Sequence, residues 1–194
     1  MLKSLFSLFL LLLFSCGAPS KEESKKTLVV GASSVPQAEL LAQAKKPLEE
    51  KGYTLKIQVM DDYNIPNRAL ADGDIDANFF QHKPFLEEQI AEFHYPLCAL
   101  ASIHIEPMGL YSKAKSLSEL KPGGKISIPS DPTNEARALL LLQNAGLIAL
   151  NDRGILNTTP LDITNNPKKF KFIEVDAALL ARTLNDVEAA VIPT

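Results

Sequence analysis

Leu28-Val29-Val30-Gly31-Ala32 is a short apolar run, and the two segments behind it decide the fold. Pro36 to Lys51 places Ala38, Leu40, Leu41, Ala44 and Leu48 near helical spacing. Pro36 suits the first turn of a helix and Gly52 suits its end. Tyr53 to Met60 then alternates apolar and polar residues as a strand does. Strand, helix and strand in this order build a parallel sheet.

The same grammar extends along the chain. Asn67 to Ala71 predicts a short helix with Asn67 as its N-cap, closed by Asp72-Gly73. Ile75 to Phe80 predicts a strand, Pro84 to Phe93 a helix, and Leu97 to Ile105 a further strand. Lysine, serine, proline and glycine collect between Tyr111 and Gly124 and mark a boundary. Beyond it come a strand (Lys125 to Pro129), a helix (Pro132 to Ala145, stopped by Gly146), a strand (Phe170 to Val175), a helix (Ala177 to Leu184) and a strand (Ala189 to Ile192). The expected fold is α/β with two lobes, residues 27–111 and 112–194, each a mostly parallel sheet with helices on both faces. A cleft between two such lobes is a natural small-molecule site. Val191-Ile192-Pro193-Thr194 reads as the end of a core strand with no closing element behind it. The expectation is a truncated product or a second lobe that ends there.

Ahead of the first strand, Met1 to Lys3 carries one positive charge and Leu5 to Phe14 is almost wholly apolar. A charged start, a short apolar run and small Ser15 before Cys16 form a secretory signal, residues 1–15. The run is about half of the roughly 20 apolar residues a spanning helix needs. Leu13-Phe14-Ser15-Cys16 resembles a bacterial lipobox, which implies a Cys16 carrying fatty-acyl chains and a polar tether over residues 16–26. Phe14 is larger than that slot usually holds. Cys98, the second of two cysteines, lies in an apolar stretch and is expected to be a small buried hydrophobe. Hydrophobic residues make up 46% of the 194, which argues against disorder, and a net charge of −3 without a basic stripe argues against nucleic acid.

Three segments concentrate residues that can carry chemistry. Asp61 to Asn67 surrounds Tyr63 with turn residues. Gly73 to Phe85 crowds Phe79, Phe80 and Phe85 around His82 at the carboxyl end of a strand, the edge where open α/β sheets bind ligands. Adjacent Phe79 and Phe80 could equally serve the core from opposite faces of the sheet. Pro129 to Arg137 runs from strand through turn into helix, where free N–H groups and the dipole favour an anion. Arg137, about one turn in, can grip a carboxylate with two parallel bonds. Ser130 or Asp131 could instead be a plain cap, and Arg137 a surface ion pair. An enzyme lacks support: there is no Gly-x-Ser-x-Gly elbow, no phosphate loop and no metal-ligand spacing among His82, His94 and His104. Asp76 and His82 make an imaginable dyad with no local nucleophile. No cofactor is called for.

From near Thr27 to its last residue the chain resembles the methionine-binding lipoproteins of bacterial ABC importers. The resemblance rests on Asp62-Tyr63-Asn64-Ile65-Pro66-Asn67, on Gly73 to Leu86 with its Asn78-Phe79-Phe80-Gln81-His82 core, on Glu106-Pro107-Met108-Gly109-Leu110-Tyr111-Ser112, on Ile128 to Arg137, and on Leu140 to Ile148. It implies a two-lobed periplasmic-binding-protein fold that holds methionine, as the L or D isomer, and no catalytic activity. It also implies a permease and its ATPase as partners, and a lipid anchor in the cell membrane or outer membrane facing the periplasm or exterior. The aromatic cage of the family falls on Tyr63, Phe79, Phe80 and His82, with Phe85 and Tyr111. The carboxylate-holding arginine falls on Arg137, with Asn134 beside it. Where family members often carry an asparagine, this chain has Pro193, which offers no amide, and the family's last C-terminal stretch with its returning crossover is absent. Alternatives in keeping with the sequence are a lipoprotein of this fold for another amino acid, or a truncated surface lipoprotein without a transport role.

Overall fold

In the computed structural model, which describes residues 26–151 and 158–193, the first sheet is centred on β1 (Lys26–Ala32). It pairs in parallel with β2 (Tyr53–Val59) on one side and β3 (Ala77–Phe79) on the other. The signal sequence, Cys16 and nearly all of the tether lie outside the described residues. The strand takes in Lys26, which the sequence assigns to the tether.

The connection from β1 to β2 differs from the single helix expected over Pro36 to Lys51. It opens with a wide turn over Ser34–Ala38, continues as α1 (Glu39–Gln43) and restarts as α2 (Lys45–Glu49). Pro47 has no N–H to give the Gln43 carbonyl, so the helical ladder breaks there. Gly52 at φ +82° ends α2, as its left-handed freedom allows.

Next come α3 (Ile65–Ala71), β3 and α4 (Lys83–Phe93). Asn67 is not the cap of α3. The helix starts two residues earlier, and Asn67 lies inside it with no exposure to solvent. The strand expected over Ile75 to Phe80 shortens to three residues: the Asp74 N–H turns back to the Ala69 carbonyl, and the Asp76 N–H meets the Val29 carbonyl of β1 just ahead of the regular ladder. Asp76 also accepts the Val29 N–H at 2.7 Å, a structural bond that ties up the carboxylate of the imagined dyad.

Leu97 to Ile105, expected as a strand, forms no ladder among the described residues. Leu100, Ile103 and Ile105 are 86%, 66% and 81% exposed. Alternating apolar residues make a strand only when a neighbour supplies the other half of the hydrogen bonds. Cys98 sits in this stretch and is exposed, not buried.

The second sheet has the order β4-β9-β5-β8, from β4 (Met108–Ser112), β5 (Lys125–Pro129), β8 (Lys171–Val175) and β9 (Ala189–Pro193). Met108 to Tyr111, placed by the sequence in the first lobe, is therefore an antiparallel edge of the second sheet, while β5 pairs in parallel with β8 and β9. Helix α5 (Pro132–Asn144) covers one face. Its Ala138, Leu139 and Leu142 pack on Ile126, Ile128 and Val191, all fully buried, to form the main core. Ser127 points the other way and shares a 2.7 Å hydrogen bond with Thr183 of the 3₁₀ segment Ala177–Asn185, which covers the opposite face. A small hairpin of β6 (Ala149–Leu150) and β7 (Ile163–Asn165) lies beside it.

Candidate binding site

The end of β3 feeds straight into the N-terminus of α4, and that short turn carries the aromatic residues. Phe85, in the first turn of α4, is 2% exposed and anchors them. Tyr63, Phe80 and Phe85 form an edge-to-face triangle, with centroids 6.0 to 6.1 Å apart and planes at 69° to 81°. His82 lies 6.3 Å from Phe85, and Phe79 meets His104 edge-on at 5.5 Å. Rings in this relation present edges and faces together, which suits an apolar or thioether side chain.

The second lobe supplies the polar wall. The N-terminus of α5 is capped by Asp131, whose carboxylate accepts the Asn134 N–H at 2.9 Å and the Thr133 hydroxyl at 3.0 Å. The anion expected at this helix end is therefore the chain's own. Asn134 also donates its side-chain amide to both Asp131 oxygens at 3.0 Å. That orientation turns the Asn134 oxygen to Arg137, which donates to it at 2.8 Å and to the Glu106 carbonyl at 3.0 Å. Arg137 is thus a half-buried, aimed guanidinium and not a surface ion pair.

A single cavity joins the two walls. It is lined by Tyr63, Phe79, Phe80, His82, Phe85, Asn134 and Arg137, together with Gln37, Gln81, His104, Ile105, Glu106 and Pro193. Every side chain nominated for ligand contact from the sequence is present except Tyr111. That ring folds back over Gly109 of its own strand, so that a Cβ on Gly109 would lie 2.7 Å from it, and the residue is 44% exposed. A second space adjoins the cavity, sharing Gln37, Tyr63, Phe80, Glu106 and Pro193 and reaching Ser33, Asp61, Ala177 and Ala178.

Among the described residues, Glu106 is the one carboxylate lining the first cavity. Its Oε1 accepts from Gln37 Nε2 at 2.7 Å and shares a 2.9 Å bond with His104 Nε2. A carboxylate held so beside Arg137 offers an ammonium partner next to a carboxylate partner. Burial, with Arg137 adding to it, pushes the His82 imidazole down to about 4, so it stays neutral at pH 7 and matches an uncharged side chain. Burial first, then Asp131 and Glu106, raises the Tyr63 hydroxyl above its ordinary value.

Gln37, Gln81, His104, Ile105 and Glu106 were not singled out from the sequence as ligand contacts. Gln37 follows a proline in an irregular turn, and His104 to Glu106 lie on an unpaired stretch. No periodicity marks either place. The only available signal was that Glu106 opens the Glu-Pro-Met-Gly segment.

Residues 28–194 match the family model of the NlpA lipoprotein. The chain belongs to the NlpA lipoprotein family. Among curated relatives, the methionine-binding lipoprotein MetQ of Bacillus subtilis (strain 168) is 42% identical across 96% of this chain and 72% of its own. The D-methionine-binding lipoprotein MetQ of Escherichia coli (strain K12) is 41% identical across 93% of this chain and 66% of its own. Among solved structures, a nutrient binding protein from Burkholderia cenocepacia bound to methionine superposes with a TM-score of 0.81 at 45% identity, covering 86% of this chain and 71% of that one. The methionine binding protein MetQ gives 0.83 at 42%, covering 87% and 70%. The chain thus spans between 66% and 72% of the length of these proteins.

Proposed function

We propose that this chain is an extracytoplasmic solute-binding lipoprotein that captures methionine, L or D, and hands it to an ABC permease driven by its ATPase. The observation that carries the proposal is one cavity in which an aromatic cage adjoins both a guanidinium and a carboxylate. An amino acid with a thioether offers the matching groups: an apolar, polarizable side chain, a carboxylate for Arg137 and an ammonium for Glu106. The methionine-binding relatives and the methionine-bound neighbour support the same ligand. The role is binding without chemical change. Fatty-acyl chains on Cys16 would hold the protein at the cell or outer membrane, facing the periplasm or exterior. Pro193 lines the cavity with ring and carbonyl alone, so Arg137, Asn134 and Glu106 carry the polar contacts.

Calorimetric titration with methionine, norleucine and alanine tests this. Methionine is expected to bind tightest, norleucine next and alanine far more weakly, since most of the cage contact is lost with the side chain. Equal affinity for all three, or none for methionine, contradicts the proposal.

A further inference from the structure

Beside the aromatic cage lies an amide cluster that no ligand contact explains, built of fully buried Asn67 and half-buried Asn78 and Gln81. Asn67 Nδ2 donates to Gln81 Oε1 at 2.8 Å, and Gln81 Nε2 donates back to Asn67 Oδ1 at 2.7 Å. Asn78 Nδ2 donates to the same Asn67 oxygen at 2.9 Å and to the Pro66 carbonyl at 3.2 Å. Gln81 Nε2 also donates to Asn78 Oδ1 at 3.2 Å. Both N–H bonds of the Gln81 amide are therefore engaged and its oxygen is paired, although the residue lines the cavity.

The three residues sit at decisive places. Asn67 is on α3, which begins two residues after Tyr63. Asn78 is on β3, and Gln81 stands between Phe80 and His82. The cluster clasps the element behind Tyr63 to the turn that carries the other rings. We propose that the reciprocal Asn67–Gln81 amide pair is a positioning device that sets the width of the cage and thereby the side-chain specificity of the site. An inward polar cluster is costly unless complete, and in this arrangement the Asn67, Asn78 and Gln81 amides all find partners. Loosening it would let Phe80 and His82 move relative to Tyr63 without touching Arg137 or Glu106. This inference rests on the methionine reading of the cavity.

The test uses the detergent-solubilised full-length chain with Gln81→Met and Gln81→Glu, titrated with methionine, alanine and methioninol. Gln81→Met keeps the length but leaves Asn67 Nδ2 without its acceptor, Asn67 Oδ1 keeping only Asn78, and should cut the methionine-to-alanine preference about tenfold. The methionine-to-methioninol preference, read at Arg137, should hold. A merely structural lesion would lower the melting temperature and weaken all three ligands in proportion, and so would overturn the proposal. Gln81→Glu supplies the rescue. A protonated carboxyl donates to Asn67 Oδ1 and accepts from Asn67 Nδ2, as the amide does, whereas a carboxylate cannot donate. Its preference should recover as pH falls from about 7 to about 4, through the ordinary carboxyl range, with the parent as baseline. That arm also decides the matter if Gln81→Met does not fold. A Gln81→Met protein with the parent's methionine-to-alanine ratio, or a Gln81→Glu protein no more pH-dependent than the parent, refutes the positioning role while leaving the methionine reading intact. A parent with no preference for methionine removes both.

Discussion

Truncating Arg137 to alanine separates binding from folding. Its guanidinium donates to Asn134 Oδ1 at 2.8 Å and to the Glu106 carbonyl at 3.0 Å. Two of its five N–H groups are thereby spent on aiming it, and the rest remain for a carboxylate. Removing one partner of a buried charged pair costs roughly 2–5 kcal/mol, or about 30-fold to several-thousand-fold in affinity. The cleft is partly open to solvent, so the lower end applies. Lysine should not restore the loss, because a point charge cannot reproduce a planar fork. The assay is calorimetric titration of methionine and methioninol into parent and variant, with thermal melts as a folding control. The parent should discriminate strongly against methioninol and the variant should lose most of that discrimination. A folded variant that keeps the parent's preference would show that the carboxylate is held elsewhere.

Phe80→Ala should weaken methionine about tenfold, since roughly 60 Å² of ring contact at ~25 cal/mol per Å² is about 1.5 kcal/mol; unchanged affinity would assign the ring to the core. Glu106→Gln should erase most of the preference for methionine over N-acetylmethionine, about tenfold or more for a charge-assisted bond, as read by competition binding. Buried Glu135, pushed up to about 7 by burial and by neighbouring Glu174, binds its proton more tightly folded than unfolded. Its stabilising contribution is full below about pH 4.5 and is lost as pH rises through about 7. Melting temperature should fall over that window, and Glu135→Gln should flatten the fall; parallel curves would count against it. Cys16→Ala should release the protein from membranes or leave an unprocessed precursor, visible by fractionation and gel migration, and a variant that behaves like the parent would place the anchor elsewhere.

The two-lobed α/β fold was legible because its strands and helices carry local periodicity. Ile126 and Ile128 alternate with Ser127, and Ala138, Leu139 and Leu142 share a helix face. Most of the cage was legible because Phe79, Phe80 and His82 are crowded into one turn. The misreadings share a cause, namely dependence on a distant neighbour. Asn67 has the composition of a cap, yet its partners are Asn78 and Gln81, eleven and fourteen residues on. Leu97 to Ile105 has the pattern of a strand and, among the described residues, no strand beside it. Cys98, set in that stretch, is exposed for the same reason. Tyr111 sits at the right place in its motif, but its ring follows its own strand back over Gly109. Glu106 and Gln37 come from irregular backbone, where no period predicts direction.

The most direct measurement is a crystal structure of the protein, made with ordinary methionine, after soaking with selenomethionine as ligand and collecting data at the selenium edge. The account predicts one strong anomalous peak among Tyr63, Phe80, His82 and Phe85, with the ligand carboxylate on Arg137 and its amino group toward Glu106. A peak outside this cage, or a ligand reversed so that its carboxylate avoids Arg137, would contradict it.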